Sequence, residues 1–213
     1  MGYILLPGGD RIPAVPGKYR LTTPPDLNEV AEKRFLLEYV SPILTVRDYP
    51  MSGIGSVQRG EVSRQFSIWK RHNPEIGGVM FFHSAGYQLT TKAGRAWLVP
   101  DAAYMDEATF ARMMSDKKLS KLPYPPCVPA VVLQLLTGTD NLEDAQAKVA
   151  VFMEAGTREG VIVDARKGCV WIYSRDQDEP RCESLGPIAF DSMRKFTLDC
   201  DAIRSAVAQA RML

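Results

Sequence analysis

The chain has 213 residues, with 26 basic and 25 acidic side chains and a formal net charge of +1. That length suits one domain with an appendage and can bury a core without disulfide or metal staples. The balanced charge excludes a strongly basic overall field, so any contact with nucleic acid has to come from a local patch. No apolar run approaches the roughly 18 residues of a membrane span. The N-terminus carries neither a signal-peptide apolar region nor an Arg/Ser-rich transit pattern. Cys127, Cys169, Cys182 and Cys200 lie far apart, without a CxxC pair, beside only two histidines. This spacing does not read as a zinc site and points to structural thiols in a reducing, intracellular compartment.

Residues 1–25 contain Pro7, Pro13, Pro16, Pro24 and Pro25 and four glycines, which favours extended or loop-like chain. Tyr3, Ile4, Leu5, Leu6, Ile12, Val15 and Tyr19 make this arm too apolar for a solvated tail. It is expected to pack on the domain formed by residues 26–213, or on a partner protein. Asp26 and Glu29 have capping-box spacing and predict a helix to about Tyr39, ended by Ser41-Pro42. Ile43–Val46 is a short strand. A helix from Ser56 to Arg71 carries Val62, Phe66 and Trp69 on one face. Strands are expected at Val79–His83, Tyr87–Thr90 and Ala96–Val99, the last continuing through Asp101–Met105. Glu107–Met114 reads as a helix. Ser115–Pro126 reads as a basic, Pro-rich loop. Lys117, Lys118 and Lys121, with Arg112 and Tyr124 nearby, form either a solvated loop or a phosphate contact.

The most informative stretch is Val128–Ile172. Val131–Leu136 is apolar except at Gln134, the pattern of a strand buried on both faces. A polar residue there needs a partner or a role, because an unpaired buried amide is costly. A turn at Thr137-Gly138-Thr139 leads to a helix with Leu142, Ala145, Val149, Phe152 and Met153 on one stripe. Gly156 stands at its C-terminal cap. Val161–Val163 and Val170–Tyr173 form a hairpin pattern, so strand, helix and strand make a βαβ unit. A charged loop spans Ser174–Gly186. Short strands at Ile188–Phe190 and Phe196–Leu198 precede a last helix with Ile203, Val207 and Ala210. The whole is an α/β domain with a mixed sheet. It lacks GxGxxG and GxxxxGK[ST] phosphate loops. Trp97 and Trp171 read as core, and neither His72 nor His83 has a partner in sequence.

Asp101 closes a strand, Gln134 lies on the next, and Lys148 sits at the edge of the following helix's apolar stripe, where its stem can lie over the sheet. An acid, an oxygen donor and a lysine so placed suit metal-dependent phosphodiester cleavage. Over Phe35–Ala206 the chain resembles the Uma-type restriction endonucleases of the PD-(D/E)XK nuclease superfamily. The resemblance is carried by Met51-Ser52, Gly78–Phe82, Val99–Met105, Pro129–Thr137, Gln146–Phe152 with Gly156, and Gly160–Asp164. It implies a restriction-endonuclease-like mixed sheet flanked by helices. It also implies a catalytic set of Asp101, Gln134 and Lys148, with Asp101 and Gln134 toward Mg²⁺. In the family pattern Ala130 would be an acid and Gln134 a glutamate. A family histidine is missing where Gln58 and Arg59 stand.

Two functions follow as expectations. One is a degenerate, non-catalytic nuclease-like domain, serving as a structural or a nucleic-acid- or protein-binding subunit with partners reached through residues 1–25. The other is an active Mg²⁺-dependent endonuclease in which Asp140, Glu143 or Asp106 supplies the missing carboxylate.

Overall fold

A computed structural model describes residues 2–31, 34–48, 53–82, 85–138, 140–210 and 212. The resemblance at Met51-Ser52, His83 at its strand end and Thr139 in its turn lie outside these residues. In chain order the strands and helices are β1 (Tyr3–Leu5), β2 (Arg11–Pro13), β3 (Gly17–Arg20), β4 (Phe35–Val40), β5 (Ile43–Asp48), α1 (Gly53–His72), β6 (Val79–Phe82), β7 (Tyr87–Thr91), β8 (Gly94–Leu98), β9 (Ala102–Met105) and α2 (Glu107–Ser115). There follow β10 (Val131–Leu135), α3 (Leu142–Ala155), β11 (Glu159–Asp164), β12 (Cys169–Ser174), β13 (Arg181–Ser184), β14 (Pro187–Ala189), β15 (Thr197–Asp199) and α4 (Cys200–Ala210).

A mixed six-stranded sheet, ordered β13-β12-β11-β10-β9-β6, forms the centre. Its one parallel pair is β10 with β11, joined by α3 as the βαβ pattern requires. Strand β10 is buried at every position, and its side chains alternate between two cores. Val131, Leu133 and Leu135 pack on the α1 and α4 side, with Val62, Phe66 and Ile203. Val132 and Leu136 pack on the α3 side, with Val149 and Phe152. The alternation puts Gln134 on the α3 side. Asn141 caps α3 by accepting from the Glu143 N–H, and Gly156 ends it at φ 113°.

The region 26–40 departs from the expected helix. The Asp26 side chain accepts from the Asn28 N–H at 2.9 Å, closing a local turn rather than capping a helix. Phe35–Val40 then pairs as β4 with β5, with Val40 opposite Ile43, so Ser41-Pro42 is a hairpin turn. A six-residue stretch that is apolar except at Glu38 satisfies its backbone groups by pairing with β5 and β8.

The second departure lies at Val99-Pro100. Strands β8 and β9 do not form one continuous strand. β8 joins a five-stranded antiparallel sheet, ordered β3-β5-β4-β8-β7, whereas β9 joins the central sheet. Proline has no N–H to donate to a ladder, and the chain changes sheets there. The charged loop after β12 also contains an edge strand, β13, exposed at all four residues.

The arm folds back on the domain. β1 and β2 form a small hairpin, and β3 adds to the five-stranded sheet beside β5. Ile4, Leu6, Ile12 and Leu21 share a core with Leu37, Tyr39, Leu44 and Trp97. Trp97 is fully buried, and Trp171 packs, half-buried, against the α3-side core. The four cysteines are free. Burial first, slightly offset by Arg112, pushes the Cys127 thiol up to about 11. Burial, reinforced by Asp199 and Asp201, pushes Cys200 up to about 12. Both thiols stay protonated and inert near neutral pH. No helix among the described residues is long and apolar enough to cross a membrane.

Gly78 has φ 92°, and a Cβ there would lie 2.7 Å from the Met105 backbone oxygen and 2.3 Å from the Tyr104 hydroxyl. Gly78→Ala is therefore expected to lower unfolding free energy by about 1–3 kcal/mol. Urea denaturation followed by far-ultraviolet circular dichroism measures the change.

Candidate active-site cleft

Antiparallel pairing places Ala102 opposite Leu133, so Asp101 stands at the end of β9 next to the end of β10. Two hydrogen bonds hold it there. The Asp101 N–H donates to the Leu133 carbonyl at 3.1 Å, and the Leu135 N–H donates to Asp101 Oδ2 at 2.7 Å. These bonds bracket Gln134. Asp101, Gln134 and Lys148 line one cleft of about 390 Å³, together with Arg47, Arg59 and Asp140.

Other groups in the cleft already engage these side chains. Arg59, on the second turn of α1, donates from Nε to Asp101 Oδ1 at 3.0 Å, and its Nη2 pairs with the same oxygen. Both side chains are only 10% exposed, so this is a buried ion pair with the second carboxylate oxygen held by backbone. Gln134 turns its amide nitrogen to the Leu133 carbonyl at 3.2 Å.

Lys148 reaches over the sheet from α3 and pairs with Glu38 at 2.6 Å, with side-chain exposures of 10% and 5%. Its ammonium also donates to the Val99 carbonyl. The Val99 N–H donates in turn to Glu38 Oε1 at 2.9 Å. Val99 is the residue stranded by Pro100 between the two sheets. The Glu38–Lys148 pair supplies the acceptor and the donor that neither sheet gives it. Burial pushes the Glu38 carboxyl up. Attraction to Lys148 and Arg47 and the Lys148 and Val99 hydrogen bonds outweigh that, leaving it below its ordinary 4.5.

The expected substitute carboxylates are placed differently. Asp140 lines the cleft, but its Oδ2 accepts both the Thr137 N–H and hydroxyl at 2.7 Å. Its Oδ1 faces Arg47 at 3.9 Å. Asp106 follows the opposite end of β9, where it caps α2 and pairs with Arg158 at 2.7 Å. Glu143 is exposed in the first turn of α3. Among the described residues no group of three or more His, Cys, Asp or Glu side chains could hold a metal ion.

Ala130 precedes β10 and is bonded through its N–H to Tyr104. It is four residues from Gln134, roughly 13 Å along a strand, so the missing acid at 130 removes no ligand from this cleft. Tyr124 belongs to the core: its hydroxyl donates to the Leu37 carbonyl at 2.6 Å. Lys117, Lys118, Lys121 and Arg112 are exposed. His72 donates from Nδ1 to the Ile68 carbonyl, 2.9 Å away, at the end of α1.

Sequence reasoning missed Glu38 and Arg47 and gave Arg59 no task. The available signal was the single charge in Phe35–Val40, the same kind of anomaly that marks Gln134.

Residues 27–190 match the Uma2 family, whose description is "Putative restriction endonuclease". The chain belongs to this family. The fold is shared with the crystal structure of a "putative nuclease belonging to DUF820" from Anabaena variabilis. That likeness has a TM-score of 0.60 at 15% identity and covers 80% of this chain and 90% of the other. No curated protein matches the chain. Within the family frame, the domain is restriction-endonuclease-like, and a metal such as Mg²⁺ belongs to the activity if there is one.

Glu38→Gln leaves Lys148 with a neutral partner in a buried site and is expected to cost about 3–5 kcal/mol near pH 7. Because the folded pKa of Glu38 is depressed, its stabilisation is complete above about 4.5 and is lost as pH falls through the folded value. Denaturation at pH 7 and at successively lower pH is expected to show a gap between wild type and Glu38→Gln that narrows below about pH 4.5.

Proposed function

We propose that this chain is a catalytically silent member of the family, retained as a structural or binding module. The observation that carries the reading is the Arg59–Asp101 pair, with the other Asp101 oxygen accepting from Leu135. A divalent ion would have to displace a buried guanidinium from Asp101, the one charged acceptor adjoining Gln134 among the described residues. It would gain one carboxylate and one neutral amide oxygen in return, whereas Mg²⁺ sites rely on carboxylates plus substrate phosphates. The donor set does not fit the metal. Lys148, the residue matching the family lysine, faces Glu38 and Val99.

The rim supports the same reading. Lys18 of β3 donates to both oxygens of Asp144 of α3, at 2.7 and 2.9 Å, and Pro16 of the arm lines the cleft. A substrate strand would have to pass this clasp. Tyr3 and Leu5 are 62% and 61% exposed on the outer face of β1. They supply the surface through which the arm would meet a protein partner. Contact with nucleic acid, which the family suggests, would then be binding without cleavage.

The test is incubation with plasmid, duplex, single-stranded DNA and RNA in Mg²⁺ or Mn²⁺. No cleavage above that of Asp101→Ala is expected; metal-dependent cleavage that Asp101→Ala abolishes overturns the proposal. Equilibrium dialysis adds a gain-of-binding arm. The Arg59→Ala/Gln134→Glu double variant, with its competing cation removed and a second carboxylate restored, is expected to take up Mn²⁺ where wild type does not.

A further inference from the structure

A second cleft lies on the other side of the Leu136–Thr137 segment, between α1, α4 and the turn after β11. Its volume is about 310 Å³, near the lower end for small-molecule sites. Ile54 and Val207 give it apolar walls, the Leu136–Gly138 segment borders it, and Gln58, Arg166 and Arg204 are its polar lining. Gln58 is 1% exposed. Its amide nitrogen donates weakly to the Leu136 carbonyl at 3.4 Å, and its carboxamide oxygen has no hydrogen-bond partner among the described residues. The natural complement of a buried acceptor left in this state is an N–H donor.

The two arginines stand at the rim. Arg166 uses Nη1 on the Gly138 carbonyl at 3.3 Å, and its Nε lies 3.8 Å from Asp164. Arg204 uses Nη2 on Asp201 at 2.6 Å. The Arg204 side chain reaches the β11–β12 turn, where its Nη1 would lie 3.9 Å from a Cβ at Gly168. Each guanidinium has five N–H donors in a planar fork, so both keep donors beyond these contacts. Half-exposed guanidinium groups beside an apolar cleft suit a phosphate attached to a flat, apolar-faced body.

We propose that this cleft is a nucleotide site. The base enters between Ile54 and Val207 and donates a ring N–H to Gln58 Oε1, and the phosphate lies between Arg166 and Arg204. The site does not depend on the silence of the Asp101 cleft, since it shares neither Asp101 nor Lys148. A free nucleotide and the 5′-phosphorylated end of a single strand present the same chemistry.

Isothermal titration with dTMP, thymidine, inorganic phosphate and 5′-phosphorylated oligothymidylate tests the site on the full chain. Saturable dTMP binding is expected, at least about tenfold tighter than thymidine or phosphate alone. Arg204→Glu, a change at an exposed side chain, is expected to weaken dTMP at least about tenfold. Gln58→Met is expected to remove the advantage of dTMP over phosphate while leaving phosphate binding unchanged. Thermal unfolding confirms that each variant is folded. An oligonucleotide that binds more tightly than dTMP with the same variant pattern identifies a strand end as the ligand. Equal or weaker binding identifies the free nucleotide. Absence of saturable binding by both, dTMP no tighter than phosphate, or indifference to Arg204→Glu overturns the proposal.

Discussion

A chain that leaves one sheet for another through a proline strands the backbone polar groups at the crossing. Here the crossing is Val99-Pro100-Asp101, buried between the five-stranded and six-stranded sheets. Pro100 can donate nothing. Val99 is answered on both sides by the Glu38–Lys148 pair, and Asp101 re-enters the ladder through Leu133 and Leu135. These groups are largely buried, so losing one of these bonds leaves a buried polar group without its protein partner. Both sheets, α1 and α3 meet at this point through Glu38, Arg59, Asp101 and Lys148.

That sharing fixes the shape of the cleft through the protein's own charges. A glutamate at position 134 beside Asp101 would add a second buried negative charge, which needs a cation. With glutamine there, one positive charge suffices, and Arg59 provides it from α1. The resulting pair is stiff and self-satisfied. A buried ion pair of this kind contributes little net stability over an apolar replacement, yet removing one partner is strongly destabilising because the other charge stays buried. Structure alone is therefore enough to retain Asp101 and Arg59.

The parts legible in sequence were those with a long or pure signal. β10, α3, Gly156 and the β11–β12 hairpin declare themselves through burial on both faces, 3.6-residue periodicity and cap chemistry. Asp101, Gln134 and Lys148 could be brought to one place because strand order and one crossover helix fix them. Phe35–Val40 was obscured by Asp26 and Glu29, which mimic a capping box although Asp26 closes only a local turn. With that strand misread, Glu38 could not be matched to Lys148. Ala130 drew weight as a lost acid until the register with β9 put it at the opposite end of β10. Arg59 was visible only as a position where a histidine was missing; its reach to Asp101 depends on the packing of α1 against β10, which no local pattern encodes.

The most direct test is a double-mutant cycle on unfolding free energy with Arg59→Met, Asp101→Asn and the combined variant. If Asp101 is held by Arg59 as a structural ion pair, each single change costs about 3 kcal/mol and the double variant costs much less than their sum, a coupling of about 2 kcal/mol or more. Additive effects within about 0.5 kcal/mol would mean that the two charges do not depend on each other. Asp101 would then be free to serve another cation, and the silent-cleft reading would fail.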